Sequence, residues 1–155
     1  MPCEIEVELF QNEALSDALA RVPALLQQIP ELEQIFDLEN AATLMSNSGL
    51  ALFATADGVA AGFKLGYDRF GDGSFYSWLG GVLPDFRGGH VAQRLLEDQE
   101  TWVLQQGFHG IFVKTRNRFV GMRILLARNG YGMVNMEPLA DRGNSRLLHY
   151  KKLPG

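Results

Sequence analysis

The feature that most constrains the fold is a glycine-containing turn, Arg87-Gly88-Gly89, which joins an apolar run to a segment with apolar residues at helical spacing. The run predicts a strand, and the spacing predicts a helix over 90–106. The first backbone N–H groups of a helix have no partner inside it and lie at the positive end of its dipole. The turn therefore predicts an anion site of the kind that holds a pyrophosphate.

Length and composition indicate one globular domain spanning residues 1–155, because 46% of the residues are apolar and 21% are charged. No apolar run approaches the roughly 18 residues that a membrane-spanning helix needs. The N-terminal segment is acidic and lacks the apolar core of a signal peptide. The single cysteine, Cys3, excludes an intramolecular disulfide. We therefore expect a cytoplasmic protein with no membrane partner.

Charge is distributed unevenly along the chain, whose net charge is −4. Residues 87–128 hold seven basic and three acidic residues, whereas the first forty residues hold nine acids and one arginine. This asymmetry predicts one surface that receives an anion and another that favours a cation, although solvated helix faces explain it as well. A nucleic-acid partner is not expected, because the chain as a whole is acidic.

Hydrophobic periodicity predicts alternating strands and helices, and therefore a mixed sheet with helices packed on it, in the α/β class. Paired glycines inside a strand, Gly80 and Gly81, predict a bulge or a close approach by another backbone or a ligand. We expect strands over 4–10, 50–54, 59–67, 75–83, 110–114, 131–136 and 145–151, and helices over 12–28, 37–46, 90–106 and 117–128.

The element order and the turn resemble those of the GCN5-related N-acetyltransferase (GNAT) superfamily over nearly the whole chain. A helix that ends in Asn129-Gly130-Tyr131 matches a second motif of that family. The resemblance implies a GNAT-like central mixed, mostly antiparallel sheet, splayed at its fourth strand, with helices on both faces. His90 stands where the family usually has glycine; the residues that match the family's turn motif are Val82, Pro84, Arg87, Gly88, Gly89 and Ala92.

The resemblance implies acetyl-coenzyme A (acetyl-CoA) as the acetyl donor, entering where a bulge at Gly80-Gly81 opens the sheet. Strand backbone would pair with the pantetheine arm, and the turn amides would hold the pyrophosphate. For His90 three outcomes stay open, namely a tolerated substitution, a phosphate contact through its imidazole, and weakened binding. The implied cofactor-binding residues are Gly81, Val82, Leu83, Arg87, Gly88, Gly89, His90, Val91, Ala92 and Asn117.

In the family reaction a substrate amine attacks the thioester, so a base must remove a proton and an acid must protonate the departing thiolate. The family's usual acid is a tyrosine four residues before the closing glycine, and that position here is Leu126. Remaining candidates are Asp68 as base and Tyr76 as acid, with Tyr67 and Trp78 bordering the acceptor pocket. Asp68 could instead be a solvated turn residue and Tyr76 a packing residue. No residue spacing predicts a metal site.

The sequence thus predicts an acetyl-CoA-dependent N-acetyltransferase that acts on a primary amine of a small molecule or a peptide. A catalytically silent acyl-CoA-binding regulatory domain is the alternative, because the usual proton donor is missing. The acidic N-terminal residues favour a cationic acceptor. An exposed C-terminal strand over 145–151 would allow a homodimer.

Overall fold

A computed structural model describes residues 4–32 and 36–155, so Cys3 lies outside the described residues. Its core is a seven-stranded sheet in the order β1-β2-β3-β4-β5-β7-β6, in which only β4 and β5 are parallel neighbours within the described chain. The strands are β1 (Ile5–Gln11), β2 (Leu50–Ala56), β3 (Val59–Tyr67), β4 (Ser74–Val82), β5 (Gly110–Arg116), β6 (Gly132–Glu137) and β7 (Arg146–Lys152). The α/β class and the mixed, mostly antiparallel sheet are confirmed. The exposed strand expected over 145–151 is wrong, because β7 lies between β5 and β6 and is paired on both sides.

Helices cover both faces of the sheet and divide the core into two layers. One layer lies between the sheet and the N-terminal helices and includes Phe63 and Leu65; the other lies against the longest helix and includes Phe75 and Ile111. Alternating side chains of each strand enter opposite layers because strand side chains alternate in direction. The helices are α1 (Leu15–Leu19), α2 (Val22–Gln27), α3 (Leu38–Leu44), α4 (Val91–Gln105) and α5 (Val120–Arg128).

The continuous helix expected over 12–28 is wrong. The segment forms a 3-10 turn at Asn12–Ala14, then α1, then α2. Pro23 lies in the first turn of α2. Proline has no N–H to donate to the preceding turn, so it ends one helix and suits the start of the next.

The bulge expected at Gly80-Gly81 lies earlier in β4. Leu65 pairs with Leu79 and Gly66 pairs with Ser77, which makes Trp78 the extra residue. A β-bulge of this kind bends its strand. Trp78 and Leu79 both pack against the layer under the N-terminal helices, so the bulge turns the indole toward that face.

The paired glycines serve close packing instead, because both continue in regular register with β3. A Cβ built on Gly81 would lie 2.8 Å from Cδ1 of Ile29, just beyond α2. A Cβ built on Gly80 would lie 3.0 Å from the carbonyl oxygen of Phe63. Glycine therefore allows the segment after α2 to lie directly against β4. The pair thus marks a close approach by another part of the chain, which was the alternative to a bulge.

The sheet splits between its two parallel strands. β4 and β5 pair only from Ser74 opposite Gly110 to Ser77 opposite Val113. Beyond that point β4 stays paired with β3 as far as Val82, and β5 stays paired with β7 as far as Arg116. The two strands diverge as a V, which confirms the splay expected at the fourth strand.

Candidate functional site

A cavity of about 1100 Å³ occupies the split between β4 and β5. Both strands line it along their diverging edges, together with the first turn of α4 and residues along the length of α5. Ile29, Glu31 and Leu32, which follow α2, line it from the side of the N-terminal helices. The cavity thus reaches both faces of the sheet.

The cavity is strongly basic. Seven lysine and arginine side chains line it, against the single carboxylate of Glu31 among the described residues. A site with this excess of cations favours a ligand that carries several negative charges. The seven residues are Lys64, Arg87, Lys114, Arg116, Arg118, Arg128 and Arg146.

The turn before α4 has open backbone at Gly88, which lines the cavity. Gly88 has a φ of +78° and open space where a Cβ would be, so ligand atoms could approach its backbone closely. His90, the residue before α4, has a φ of +71°, and no side chain caps the helix. Val91 and Ala92, in the first turn of α4, line the cavity. The helix start is therefore available to an anion.

Arg87 is held at the mouth of the cavity by two partners. Its Nη1 and Nη2 donate to the two carboxylate oxygens of Glu31 at 2.8 and 2.6 Å, and its Nε donates to the carbonyl oxygen of Val82 at 3.2 Å. The hydrogen bonds from Arg87 lower the pKa of Glu31 from 4.5 to about 2. Both side chains remain 44% exposed, so solvent weakens the pair.

Seven of the ten residues expected to bind cofactor line the cavity. The other three do not: Leu83 donates its N–H to Ala61 and accepts from Phe86, and it is buried in the core. Asn117 donates its side-chain amide to the carbonyl of Arg142. The third is Gly89; the seven that line the cavity are Gly81, Val82, Arg87, Gly88, His90, Val91 and Ala92.

Of the residues expected near the acceptor, Tyr76 and Trp78 line the cavity. Burial raises the pKa of Tyr76, and the guanidinium of Arg69 lies 4.9 Å above its ring. Tyr67 is buried behind them, in edge contact with both rings. Asp68 does not line the cavity; its carboxylate accepts from the N–H of Gly71 at 3.0 Å, which gives it a structural role in the turn.

The residues of the second motif are structural. Leu126 is fully buried in the layer under α4 and does not line the cavity. The hydroxyl of Tyr131 donates to Glu100 at 3.0 Å, and Lys151 lies 2.7 Å from the same carboxylate. Burial raises the pKa of Tyr131, so its hydroxyl stays protonated. Tyr131 is thus a packing residue of the layer under α4.

The sequence interpretation missed several residues of the cavity wall. Lys64 is the most informative of them, because a single lysine interrupts an apolar strand between Phe63 and Leu65. That break in an apolar run was the signal that could have identified it. Thr115, which is buried, also lines the cavity.

The acidic N-terminal residues contribute little to the cavity. Of the nine acids in the first forty residues, only Glu31 lines it, while Glu33 lies outside the described residues. A cationic acceptor therefore stays a prediction. Across residues 4–32 and 36–155 no three His, Cys, Asp or Glu side chains are grouped as a metal site would need. Over the same ranges, no helix is long and apolar enough to cross a bilayer.

The similarity of this chain to known proteins is found in its three-dimensional structure. No protein-family model matches the sequence, and no curated protein matches it. An acetyltransferase of the GNAT family from Streptococcus pneumoniae superposes with a TM-score of 0.72 at 15% identity, over 96% of this chain and all of the other (100%). The chain has the GNAT fold.

Two other solved structures superpose with comparable TM-scores. The ribosomal-protein-S18-alanine N-acetyltransferase from Escherichia coli matches with a TM-score of 0.76 at 14% identity, over 97% of each chain. The protein yncA from Salmonella typhimurium, solved with its cofactor acetyl-CoA, matches with a TM-score of 0.68 at 15% identity. That match covers 96% of this chain and 94% of the other. The GNAT fold therefore extends over nearly the whole chain.

Proposed function

We propose that this chain, as one domain, is an acetyl-CoA-dependent N-acetyltransferase that acts on a primary amine of a small molecule or a peptide. The observation that carries the proposal is the basic cavity in the split of the sheet. Seven cationic side chains line it, and Glu31 is the only carboxylate among the described residues that do so. Coenzyme A carries a pyrophosphate and a 3′-phosphate, which suit such a cavity. The fold, shared with proteins named as acetyltransferases, supports the same reaction class.

Different parts of the chain would bind different parts of coenzyme A. Backbone N–H groups of the turn and the first turn of α4 would hold the pyrophosphate, with Arg87 beside them. The edge of β4 from Gly80 to Val82 has no described strand partner on the β5 side, so an amide-bearing pantetheine arm could pair with it. Arg118 and Arg128 are available to the remaining phosphate.

Acetyl-CoA supplies an activated acetyl thioester, and the chain must orient an amine against it. Tyr76 and Trp78 lie on the wall toward the N-terminal helices, the side from which an acceptor would approach. The hydroxyl of Tyr76 is protonated at neutral pH because burial raises its pKa. Tyr76 would orient the acceptor through a hydrogen bond, while water in the open cleft carries away the proton of the amine.

The first test is calorimetric binding of acetyl-CoA, coenzyme A and dephospho-coenzyme A, which lacks the 3′-phosphate. We expect acetyl-CoA and coenzyme A to bind and to raise the melting temperature, and dephospho-coenzyme A to bind more weakly. Arg87→Gln should weaken binding, whereas Arg21→Gln is the matched control because Arg21 pairs with Glu8 away from the cavity. No binding of any of the three would overturn the proposal.

The second test separates an enzyme from a silent binder. Thiol release from acetyl-CoA is followed across a panel of small amines and peptide N-termini. Buried, apolar Leu126 favours the silent acyl-CoA-binding domain, since the helix offers no hydroxyl at that position. Binding without amine-dependent thiol release would support this second candidate.

A further inference from the structure

Lys64 lies in the middle of β3, on the face of the sheet that α4 covers. Its neighbours Phe63 and Leu65 belong to the layer under the N-terminal helices, so Lys64 points the other way. It pairs with Gly80 of β4, and a Cβ built on Gly80 would lie 3.4 Å from its Cγ. The lysine stem therefore lies beside Gly80, next to the diverging edge of β4, and the side chain lines the cavity.

The amine of Lys64 is buried without a counterion. The residue is only 7% exposed, and no carboxylate lies within 4.0 Å of its nitrogen in residues 4–32 and 36–155. The charged group facing it from α4 is Glu100, which is already engaged by Tyr131 and Lys151. Burying an unpaired ammonium is costly, so a ligand that brings negative charge into the split would relieve that cost.

Other titratable groups around the cavity do not neutralise Lys64. Tyr76 of β4 belongs to the opposite layer of the sheet. Lys114 and Arg116 of β5 are themselves cations on the cavity wall. Burial lowers the pKa of Lys64 to about 8, while Glu100 acts in the opposite direction. An amine with this pKa is still mostly protonated at neutral pH and gives up its proton far more readily than an exposed lysine.

We propose that Lys64 is the proton donor to the sulfur of coenzyme A when the acetyl group leaves it. This inference rests on the proposed acetyltransferase function. It gives Lys64 the protonation of the departing thiolate, which the apolar side chain of Leu126 cannot perform. The acceptor nitrogen forms a bond to the acetyl carbon, and the carbon–sulfur bond breaks with its electron pair passing to sulfur. Lys64 gives that sulfur its proton and becomes neutral. The acceptor amine loses its proton to solvent, and Lys64 regains one from solvent, so protons and charge balance.

The decisive test measures the thiol of bound coenzyme A and needs no acceptor. Thiolate absorbance in the ultraviolet is followed as pH rises, with saturating coenzyme A on the wild type, Lys64→Met and the control Lys152→Met. Lys152 is exposed on β7 and does not line the cavity. Lys64 stabilises a thiolate as well as protonating it, so we expect the bound thiol pKa to be about one unit or more lower in the wild type than in Lys64→Met. Lys152→Met should match the wild type.

The outcomes separate the two proposals. Failure of the wild type to bind coenzyme A overturns both, whereas binding with equal thiol pKa values in the wild type and Lys64→Met overturns only the role of Lys64. Thermal unfolding establishes that the variant is folded, and Lys64→Gln serves as a second variant if methionine does not pack. Mass spectrometry after incubation with acetyl-CoA provides a further check, because stoichiometric acetylation of Lys64 would make it a nucleophile and overturn its assignment as acid.

Once an acceptor amine has been identified, the pH dependence of kcat gives a second readout. The wild-type kcat should fall on the alkaline side as an acid with an apparent pKa near 8 loses its proton. Lys64→Met should have a kcat lower by about tenfold or more, without that alkaline limb. An unchanged alkaline limb in Lys64→Met would contradict the proposal.

Discussion

The guanidinium of Arg87 lies against the carboxylate of Glu31 in a bidentate pair, with N–O distances of 2.8 and 2.6 Å. The two residues are 56 positions apart in the chain, so the pair connects the segment after α2 to the turn before α4. It also neutralises the arginine beside the expected pyrophosphate site. A phosphate and Glu31 therefore compete for the same donors.

Glu31→Gln is expected to bind coenzyme A about two- to fivefold more tightly than the wild type. The substitution removes the cavity's described carboxylate and leaves the donors of Arg87 free for phosphate. Titration calorimetry at low and high salt measures the gain, which should shrink as salt screens it. Glu13→Gln, an exposed change away from the cavity, is the control. Weaker binding by Glu31→Gln would mean that Glu31 positions Arg87 rather than competing for it.

The same pair predicts a pH dependence of stability. The folded-state pKa of Glu31 is lowered from 4.5 to about 2, so its contribution is present above pH 4.5 and is lost as pH falls toward 2. Because the pair is exposed, that contribution should stay below about 1 kcal/mol. Urea unfolding of the wild type and Glu31→Gln across this range should show the wild-type advantage disappear at the acidic end. A constant difference across the range would contradict this assignment.

His90→Gly is expected to stabilise the protein by about 0.5–1 kcal/mol. His90 has a φ of +71°, a conformation that costs a side-chain-bearing residue about 1–2 kcal/mol, partly offset by the greater freedom of glycine in the unfolded chain. His90→Ala keeps the strained backbone and should give no such gain. Chemical denaturation of the three proteins measures the differences.

Coenzyme A binding by the same His90 variants distinguishes the roles left open for the imidazole. Unchanged affinity in both variants indicates a tolerated substitution. Weaker binding in both indicates that the imidazole contacts a phosphate, and tighter binding in His90→Gly alone indicates that the backbone conformation limits the site.

Gly81→Ala is expected to destabilise the fold by about 1 kcal/mol and to weaken coenzyme A binding. The added methyl would lie 2.8 Å from Cδ1 of Ile29 and 3.1 Å from Cδ1 of Leu32, so these two side chains would have to repack against β4. Gly132→Ala is the matched control, because no atom lies within 4 Å of its built Cβ. Equal melting temperatures for the two variants would contradict this packing.

Local patterns predicted most of the fold. Alternation located β1, apolar runs located most of the other strands, and the turn at Arg87-Gly88-Gly89 located the start of α4 to within one residue of Val91. The break at Pro23 was missed because helical periodicity continues on both sides of it. The bulge was assigned to the glycines, yet it lies at Trp78, because bulge position depends on register with β3 rather than on composition.

The site was less predictable because its geometry depends on distant partners. Seven cofactor-binding candidates line the cavity because they follow one another along a single edge and turn. Asp68 was proposed from its proximity to a strand end, and only the folded turn gives its carboxylate a partner in Gly71. The position of Lys64 at the split could not be predicted, because it depends on which face of β3 the side chain occupies and on the pairing of Lys64 with Gly80.

The short parallel ladder between β4 and β5 makes this junction the most weakly hydrogen-bonded part of the sheet. Four residue pairs, from Ser74 with Gly110 to Ser77 with Val113, join a four-stranded subsheet to a three-stranded one. A ligand lying in the cleft and contacting both edges would hold the subsheets together along a much longer line. Amide hydrogen exchange along this seam should therefore slow when the cleft is filled, more than at the outer strands.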